Sequence, residues 1–181
     1  MSMYGCLFCL SGKEPGVKKK LENRLREAGS VGAIVWFPKK DVRVRRNGRA
    51  ELEKRPLFPG YLFFYIDGGE DELRQLNPGR ADGAIRLLSY ADGTHALRGG
   101  DLKVARWIED FHGEIGISTV VFNPGERVRI VDGPMMGMEG LVKKVDRHRK
   151  KVWVDFDFDG MLNNVVLDVE VVHGDTKGEN K

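Results

Sequence analysis

The sequence predicts a protein of the α+β class with two domains: an N-terminal α/β sandwich with an antiparallel-rich sheet, and a small C-terminal β-barrel of five strands. Before residue 112, short apolar strands alternate with segments of helical periodicity. After residue 120, only short strands and Gly-containing turns follow. Between them, His112–Thr119 contains glycine and lacks periodicity. We therefore predict domains at residues 1–112 and 121–174, a linker at 113–120 and a polar tail at 175–181.

The N-terminal elements follow from apolar spacing and turn residues. Strands are predicted at Met3–Leu10, Ile34–Phe37, Pro59–Ile66 and Ala84–Leu88. A first helix carries the apolar stripe Val17, Leu21, Leu25 and Ala28 and ends at Gly29. Two more helices are predicted, one at Glu70–Leu76 and one that Asp101 caps. Asp41–Lys54 is predicted to be a β-hairpin, because alternating residues flank the turn dipeptide Asn47-Gly48.

The C-terminal part has only strand signals. Strands are predicted at Arg127–Val131, Leu141–Val145, Lys151–Phe158, Val165–Leu167 and Val169–Val172. Lys151–Phe158 alternates strictly between apolar and polar residues, which argues against a helix there. Turns are expected at Asp132–Pro134 and at Asp159-Gly160. Five such strands indicate a small barrel.

Composition excludes several classes of protein. The chain has 181 residues, of which 41% are hydrophobic and 31% charged, as is typical of a globular protein. We find no apolar run of the ~18–20 residues that a membrane span needs, and no signal-peptide pattern at the N-terminus. Two cysteines cannot form a disulfide framework, so we expect a cytoplasmic protein. The net charge of +3 does not by itself indicate a nucleic-acid partner.

Candidate catalytic and metal-binding patterns do not hold. Cys6 and Cys9 have C-x-x-C spacing, but an odd separation places the two thiols on opposite faces of a strand. Asp155–Gly160 fits the first half of a calcium loop, yet Val166 stands where the loop needs glutamate. Nucleophile–base pairs and phosphate-binding glycine loops are also missing from the sequence. We expect no enzyme activity, no metal and no cofactor.

Two stretches resemble a known family. Arg55–Phe63 (RPLFPGYLF) resembles the F-P-G-Y signature in the N-terminal domain of NusG-family transcription elongation factors. Phe122–Pro134 (FNPGERVRIVDGP), continued by Met138–Val142, resembles the KOW motif of their SH3-like C-terminal barrel. KOW motifs also occur in ribosomal proteins, but the order and spacing of both stretches match the NusG family over about residues 3–173.

The resemblance implies a factor that binds RNA polymerase and suppresses pausing. In the family, an aromatic pocket of the N-terminal domain binds the clamp helices of the largest polymerase subunit. By motif position, the matching residues here are Tyr4, Phe58, Pro59, Gly60 and Tyr61. The alternative is that the aromatic side chains are core residues and that the glycine only shapes a turn. We also expect a monomer without a membrane partner.

The predicted hairpin carries four arginines around its turn, with no acidic residue between them. Clustered arginines on a protruding hairpin suggest contact with nucleic-acid phosphates, including DNA, although a solvated hairpin end would look the same. These candidate residues are Arg43, Arg45, Arg46 and Arg49.

The barrel has a second basic cluster beside a tryptophan. Lys143–Lys151 contains six Lys and Arg against one Asp, whereas Asp155–Glu170 contains four Asp and one Glu and no basic residue. Strand alternation directs Trp153 outward, where it could stack on a nucleotide of a leader RNA hairpin. The alternative is that Trp153 covers a neighbouring strand, with Lys151 packed on its ring. The candidate RNA-binding residues are Lys143, Lys144, Arg147, His148, Arg149, Lys150, Lys151 and Trp153.

One departure from the family concerns its adaptor role. Common NusG proteins have Phe before the barrel glycine, on a surface that docks Rho or ribosomal protein S10. This sequence has Asp159 before Gly160. The departure makes binding of Rho or S10 doubtful and favours a specialised LoaP-like or RfaH-like antiterminator. The basic barrel loop favours the LoaP-like kind, whose KOW domain reads leader RNA. The alternatives are a housekeeping NusG with an adaptor barrel and a ribosome-associated KOW protein.

Overall fold

The computed structural model describes residues 2–122 and 128–172. Its α-helices are α1 (Glu14–Glu27), α2 (Gly69–Leu76) and α3 (Gly99–Asp110). Its strands are β1 (Met3–Cys9), β2 (Ile34–Trp36), β3 (Lys39–Arg46), β4 (Arg49–Pro56), β5 (Tyr61–Ile66), β6 (Ala84–Leu87), β7 (Glu114–Ile115), β8 (Ser118–Val121), β9 (Arg129–Asp132), β10 (Val142–Asp146), β11 (Lys151–Phe158) and β12 (Met161–Val172). The predicted fold class, α+β with a β-rich C-terminal part, is confirmed.

The chain divides into two compact units that do not follow chain order. The first unit is built from residues up to Lys39, from Pro56–Glu114 and from Asp157–Met161. The second is built from Lys40–Arg55, from Ile115–Phe156 and from Leu162 onward. The end of the β11–β12 hairpin, Asp157–Met161, thus belongs to the first unit; we call these five residues the hairpin tip. The domain boundaries given above remain a prediction.

The first unit contains a four-stranded sheet in the order β2-β5-β1-β6. Its neighbouring strands are antiparallel, with Cys6 opposite Phe63 and Val35 opposite Phe64. One face carries the buried side chains of Leu7, Leu62 and Phe64, which share a core with the apolar stripe of α1. The stripe predicted for α1 is confirmed for Val17, Leu21 and Leu25. Burial of this face fixes the strand register and so directs the alternate residues to the other face.

The second unit contains a five-stranded sheet in the order β10-β11-β12-β8-β9, and its first three strands run in chain order. The strict alternation predicted for β11 is confirmed, because Val152, Val154 and Phe156 are buried and the residues between them are not. Strands β3 and β4 form the predicted hairpin, and positive φ angles at Asn47 and Gly48 form its turn.

Three expectations about elements were wrong. No strand is predicted in the linker at 113–120, but β7 and most of β8 lie there, and both are too short for their periodicity to show. One strand, β12, replaces the two predicted at Val165–Leu167 and Val169–Val172. The polar residue that separates the two predicted strands in the sequence is Asp168. It is buried within β12, where it accepts a hydrogen bond from the Arg43 amide and pairs with Lys151.

The third correction concerns α3. The helix begins after Arg98, so Asp101 lies in its first turn and makes no cap hydrogen bond. Its carboxylate instead accepts hydrogen bonds from the Tyr90 hydroxyl at 2.6 Å and from the Asp159 amide at 3.1 Å. The residues 123–127 of the KOW motif and the predicted tail at 175–181 lie outside the described residues.

The helices in the described ranges, 2–122 and 128–172, are all too short or too polar to cross a membrane.

Candidate functional site

The second face of the first unit's sheet is aromatic. Since alternate residues of paired strands share a face, Tyr4, Cys6 and Phe8 lie beside their register partners on β5. Those partners are Tyr65, Phe63 and Tyr61. The rings of Phe8 and Tyr61 lie 4.9 Å apart, and those of Tyr4 and Tyr65 lie 5.2 Å apart. The sheet thus presents a row of aromatic side chains.

One end of this aromatic face is covered by the hairpin tip. The Phe158 ring lies 5.7 Å from that of Phe58, 5.3 Å from that of Tyr61 and 5.1 Å from that of Phe63. Phe158 is fully buried, and Phe58 and Tyr61 are buried with it. These two predicted polymerase-binding residues therefore lie in one cluster, and in this conformation the tip covers them.

Polar contacts hold the tip in place. The Tyr61 hydroxyl donates a hydrogen bond of 2.9 Å to the Asp159 carboxylate, which also pairs with Arg86. The Asp159 amide donates to Asp101. Burial raises the pKa of Tyr61 above its ordinary value, and the hydrogen bond to Asp159 raises it further. The phenol therefore stays a neutral donor across the physiological pH range.

The FPGY turn needs its glycine. Gly60 has φ +86°, and a Cβ there would lie 2.8 Å from the Cys9 carbonyl oxygen and 2.7 Å from the Phe8 ring. The same close approach lets the Cys9 amide donate to the Gly60 carbonyl at 2.7 Å. Pro59 is exposed beside this turn. The glycine thus sets the end of β5 against β1 and positions the aromatic residues that follow.

Sequence reasoning missed Glu14, which supports this turn. Its side chain is buried, and its carboxylate accepts a hydrogen bond of 2.8 Å from the Gly60 amide and another from the Gly12 amide. A glutamate in the first turn of a helix is so common that its identity alone gives no signal of such a role.

Tyr4 lies apart from the tip. Its hydroxyl donates a hydrogen bond to the Glu109 carboxylate on α3. Burial, followed by this bond to Glu109, raises the pKa of Tyr4 to about 12. Tyr4 therefore shares the aromatic face with Phe58 and Tyr61, but its half-buried ring packs against Tyr65.

The four hairpin arginines differ in their surroundings. Arg43 pairs with Glu170 and donates to the Val169 carbonyl at 2.7 Å, and Arg46 pairs with Glu53 at 2.7 Å. Arg45 and Arg49 are exposed, and the described residues give neither of them a carboxylate partner. The end of the β3–β4 hairpin therefore offers two cations that are not paired with a carboxylate in the described part of the chain, Arg45 and Arg49, instead of four.

The basic cluster of the second unit is also partly neutralised. Lys150 pairs with Glu170 at 2.6 Å and Lys151 with the buried Asp168. Arg149 lies 3.8 Å from Asp146, and Trp153 is half-buried. A lysine does lie over the ring of Trp153, as in the second interpretation given above. This lysine is Lys144, whose Nζ is 4.8 Å from the ring centre, and not Lys151.

The remaining cations of this cluster surround a groove of about 560 Å³. Lys143, Lys144 and Arg147 line it, and the Arg147 guanidinium lies 4.5 Å from the Phe122 ring. His148 is exposed on the adjoining turn. An aromatic ring beside exposed cations is the kind of surface on which a single-stranded nucleotide can stack. Within the described part of the chain, no group of three or more His, Cys, Asp or Glu side chains could hold a metal ion.

Comparison with known proteins agrees with this architecture. Residues 4–99 match the family model described as transcription termination factor nusG, and residues 124–155 match that of the KOW motif. The transcription termination/antitermination protein NusG of Thermus thermophilus is 30% identical over an alignment of 178 positions that covers 90% of this chain and 93% of that protein. The protein of the same name from Borreliella burgdorferi is 28% identical, over 84% of this chain and 90% of its own length.

A solved structure described as domain interaction in Thermotoga maritima NusG has the same fold. It matches with a TM-score of 0.58 and 20% identity and covers 93% of this chain and 94% of that chain. An aromatic sheet domain followed by a KOW barrel defines a class of transcription factors that act in termination and antitermination. The chain belongs to the NusG family within that class.

Proposed function

We propose that this protein is an elongation and antitermination factor that binds RNA polymerase through its aromatic sheet face and suppresses pausing. The observation that carries the proposal is the cluster of Phe58, Tyr61 and Phe63, whose three rings all contact Phe158 at the end of β11. Apolar rings with a phenol at the edge are the side chains that dominate protein interfaces. The partner expected from the family is the clamp-helix pair of the largest subunit.

The hairpin tip makes this face available only part of the time. Phe158 occupies the same cluster that the clamp helices would contact, so the two compete. A protein whose binding-competent state is a minor population binds with an affinity reduced by that fraction. The tip therefore sets how much free factor can bind polymerase, and a partner that draws the tip away promotes loading.

Polymerase binding can be tested with a pair of variants on immobilised polymerase core. Phe158→Ala uncovers the cluster and should tighten binding, because the competing ring is gone. Phe158→Ala/Tyr61→Ala should lose that gain, because the Tyr61 ring that polymerase would contact is missing. Tyr65→Ala removes a ring of the same sheet face without uncovering the cluster, and should not tighten binding. Unchanged affinity for Phe158→Ala together with full binding by the double variant would refute the proposal.

We propose further that the second unit binds leader RNA, as a LoaP-like factor would. The groove cations Lys143 and Arg147, with Phe122 beside them, support this role. Lys150 and Lys151, which hold carboxylates, contribute less. In a salt series with leader RNA hairpins, Lys143→Ala/Arg147→Ala should flatten the salt slope by about one to two units. Lys13→Ala/Lys20→Ala, at the N-cap and within α1, loses the same charge and should leave the slope unchanged.

The second candidate is a housekeeping NusG whose KOW domain is an adaptor for Rho or ribosomal protein S10. The names of the relatives favour it. Asp159, at the position that the adaptor surface would use, is held by Tyr61 and Arg86. Capture of purified Rho or S10 by the full chain, with RNA binding no stronger than to random RNA, would establish the adaptor role in place of the RNA-binding role.

A further inference from the structure

A groove of about 900 Å³ runs along the first unit between helix α1 and strand β2. Its helix wall is formed by residues spaced three or four apart, next to but separate from the buried stripe of α1. These residues are Pro15, Lys18, Lys19, Glu22, Asn23 and Arg26. The opposite side is formed by β2 and by Phe37, Lys39, His112 and Glu114. Neither Phe158 nor any predicted site residue lines this groove.

Strand β2 is an open edge of the four-stranded sheet. It pairs with β5 and has no partner on its other side among the described residues. An edge strand presents unpaired N–H and C=O groups on which an extended chain can add itself. Proteins usually protect such edges with charge, but this edge carries Ile34, which is 45% exposed, and follows Val31, which is 89% exposed.

The charge of the groove selects the side chains of an added strand. Four Lys and Arg line it against two Glu, and Lys18 is already paired with Glu22. Lys19 and Arg26 on the helix wall are exposed. Val35 faces α1, because it belongs to the core that contains Leu21 and Leu25, whereas Ile34 and Trp36 face the other way. A strand beside β2 would therefore place alternate residues toward the cations and the residues between them toward Ile34.

We propose that this groove binds an extended acidic segment of a partner protein, in which acidic residues alternate with apolar ones. The segment pairs with the backbone of β2, directs its carboxylates to Lys19 and Arg26, and packs its apolar residues against Ile34. A nucleic-acid strand fits less well, because its backbone lacks the N–H and C=O groups that complete the edge of a sheet.

The test uses the full chain and two fluorescent peptides of equal composition. One alternates acidic and apolar residues (Gly-Asp-Ile-Glu-Val-Asp-Ile-Glu-Gly), and the other groups its acidic residues at one end. Anisotropy should show at least fivefold tighter binding of the alternating peptide. Amide hydrogen exchange at Ile34–Trp36 should slow when that peptide is bound, which a purely electrostatic contact would not produce.

Adjacent lysines supply a matched pair of variants. Lys19→Glu should weaken binding of the alternating peptide about fivefold, because Lys19 lines the groove. Lys20→Glu makes the same charge change on the same helix outside the groove and should stay within twofold of wild type. Equal weakening by both variants, absence of binding by the alternating peptide, or equal binding of the two peptides would overturn the proposal. Loss of RNA binding in Lys19→Glu alone would assign the groove to nucleic acid instead.

Discussion

Release of the hairpin tip can be measured through Cys6, one of the two cysteines in the chain. Cys6 lies on the aromatic face opposite Phe63, is fully buried, and has Asp159 among its charged neighbours. Burial raises the pKa of its thiol well above the ordinary value, and the Asp159 carboxylate raises it further. In a Cys9→Ala background, the rate of thiol modification should therefore report how often the tip leaves the face.

The expected effect of Asp159→Asn follows from its contacts. The substitution removes the charge that pairs with Arg86 and weakens the hydrogen bond accepted from Tyr61. The Arg86 side chain is 47% exposed, so the ion pair contributes little, whereas a hydrogen bond to a charged group contributes more. Together these losses should destabilise the closed position of the tip by about 1.5 kcal/mol. The population of the open state, and with it the modification rate, should then rise roughly tenfold.

Two further variants separate tip release from a direct effect on the thiol. Tyr61→Phe removes the hydroxyl that donates to Asp159 without changing any charge, and should raise the rate about fivefold. Asp157→Asn removes a charge from an exposed residue of the same tip and should leave the rate unchanged. Equal rates in wild type and Tyr61→Phe would refute the reasoning, because a faster reaction of Asp159→Asn alone would then reflect only a lowered thiol pKa.

Three more predictions concern other contacts. Glu170→Gln should tighten RNA binding several-fold in a salt series, because it frees Arg43 and Lys150 for phosphate; unchanged affinity would exclude both cations from the RNA surface. Gly60→Ala should lower the free energy of unfolding by at least about 2 kcal/mol more than Gly12→Ala in urea titrations, since both have φ near +87° but only Gly60 faces a backbone oxygen. Stability should fall between pH 10 and about 12, because the raised pKa of Tyr4 keeps the folded phenol protonated while the unfolded one ionises; Tyr4→Phe should make this fall less steep in urea-measured pH profiles, and Tyr61 and Tyr90, whose pKa values are also raised, account for the rest.

The sequence predicted what depends on local pattern. Alternation in Lys151–Phe158 and the Asn47-Gly48 turn are written in a few adjacent residues, and the structure has both. Pairings between distant segments could not be predicted. Arg43 and Lys150 lie more than 100 residues apart, yet both bind Glu170, so two basic clusters that looked open in the sequence are partly neutralised. Charge counts along a chain do not reveal which acids the fold brings to them.

The position of Phe158 illustrates the same limit and bears on function. The alternation of apolar and polar residues in β11 correctly predicts that Phe158 is buried, but it does not indicate which apolar surface buries the ring. Phe158 packs against the aromatic cluster of the first unit, and hydrogen bonds of Asp159 to Tyr61 and Asp101 hold the tip there. Stable protein interfaces bury ~800 Å² on each partner, which is far more than the five residues of the hairpin tip can cover. On the proposed function, polymerase can therefore displace the tip, and if the open state is near 1%, the tip weakens polymerase binding about 100-fold without abolishing it.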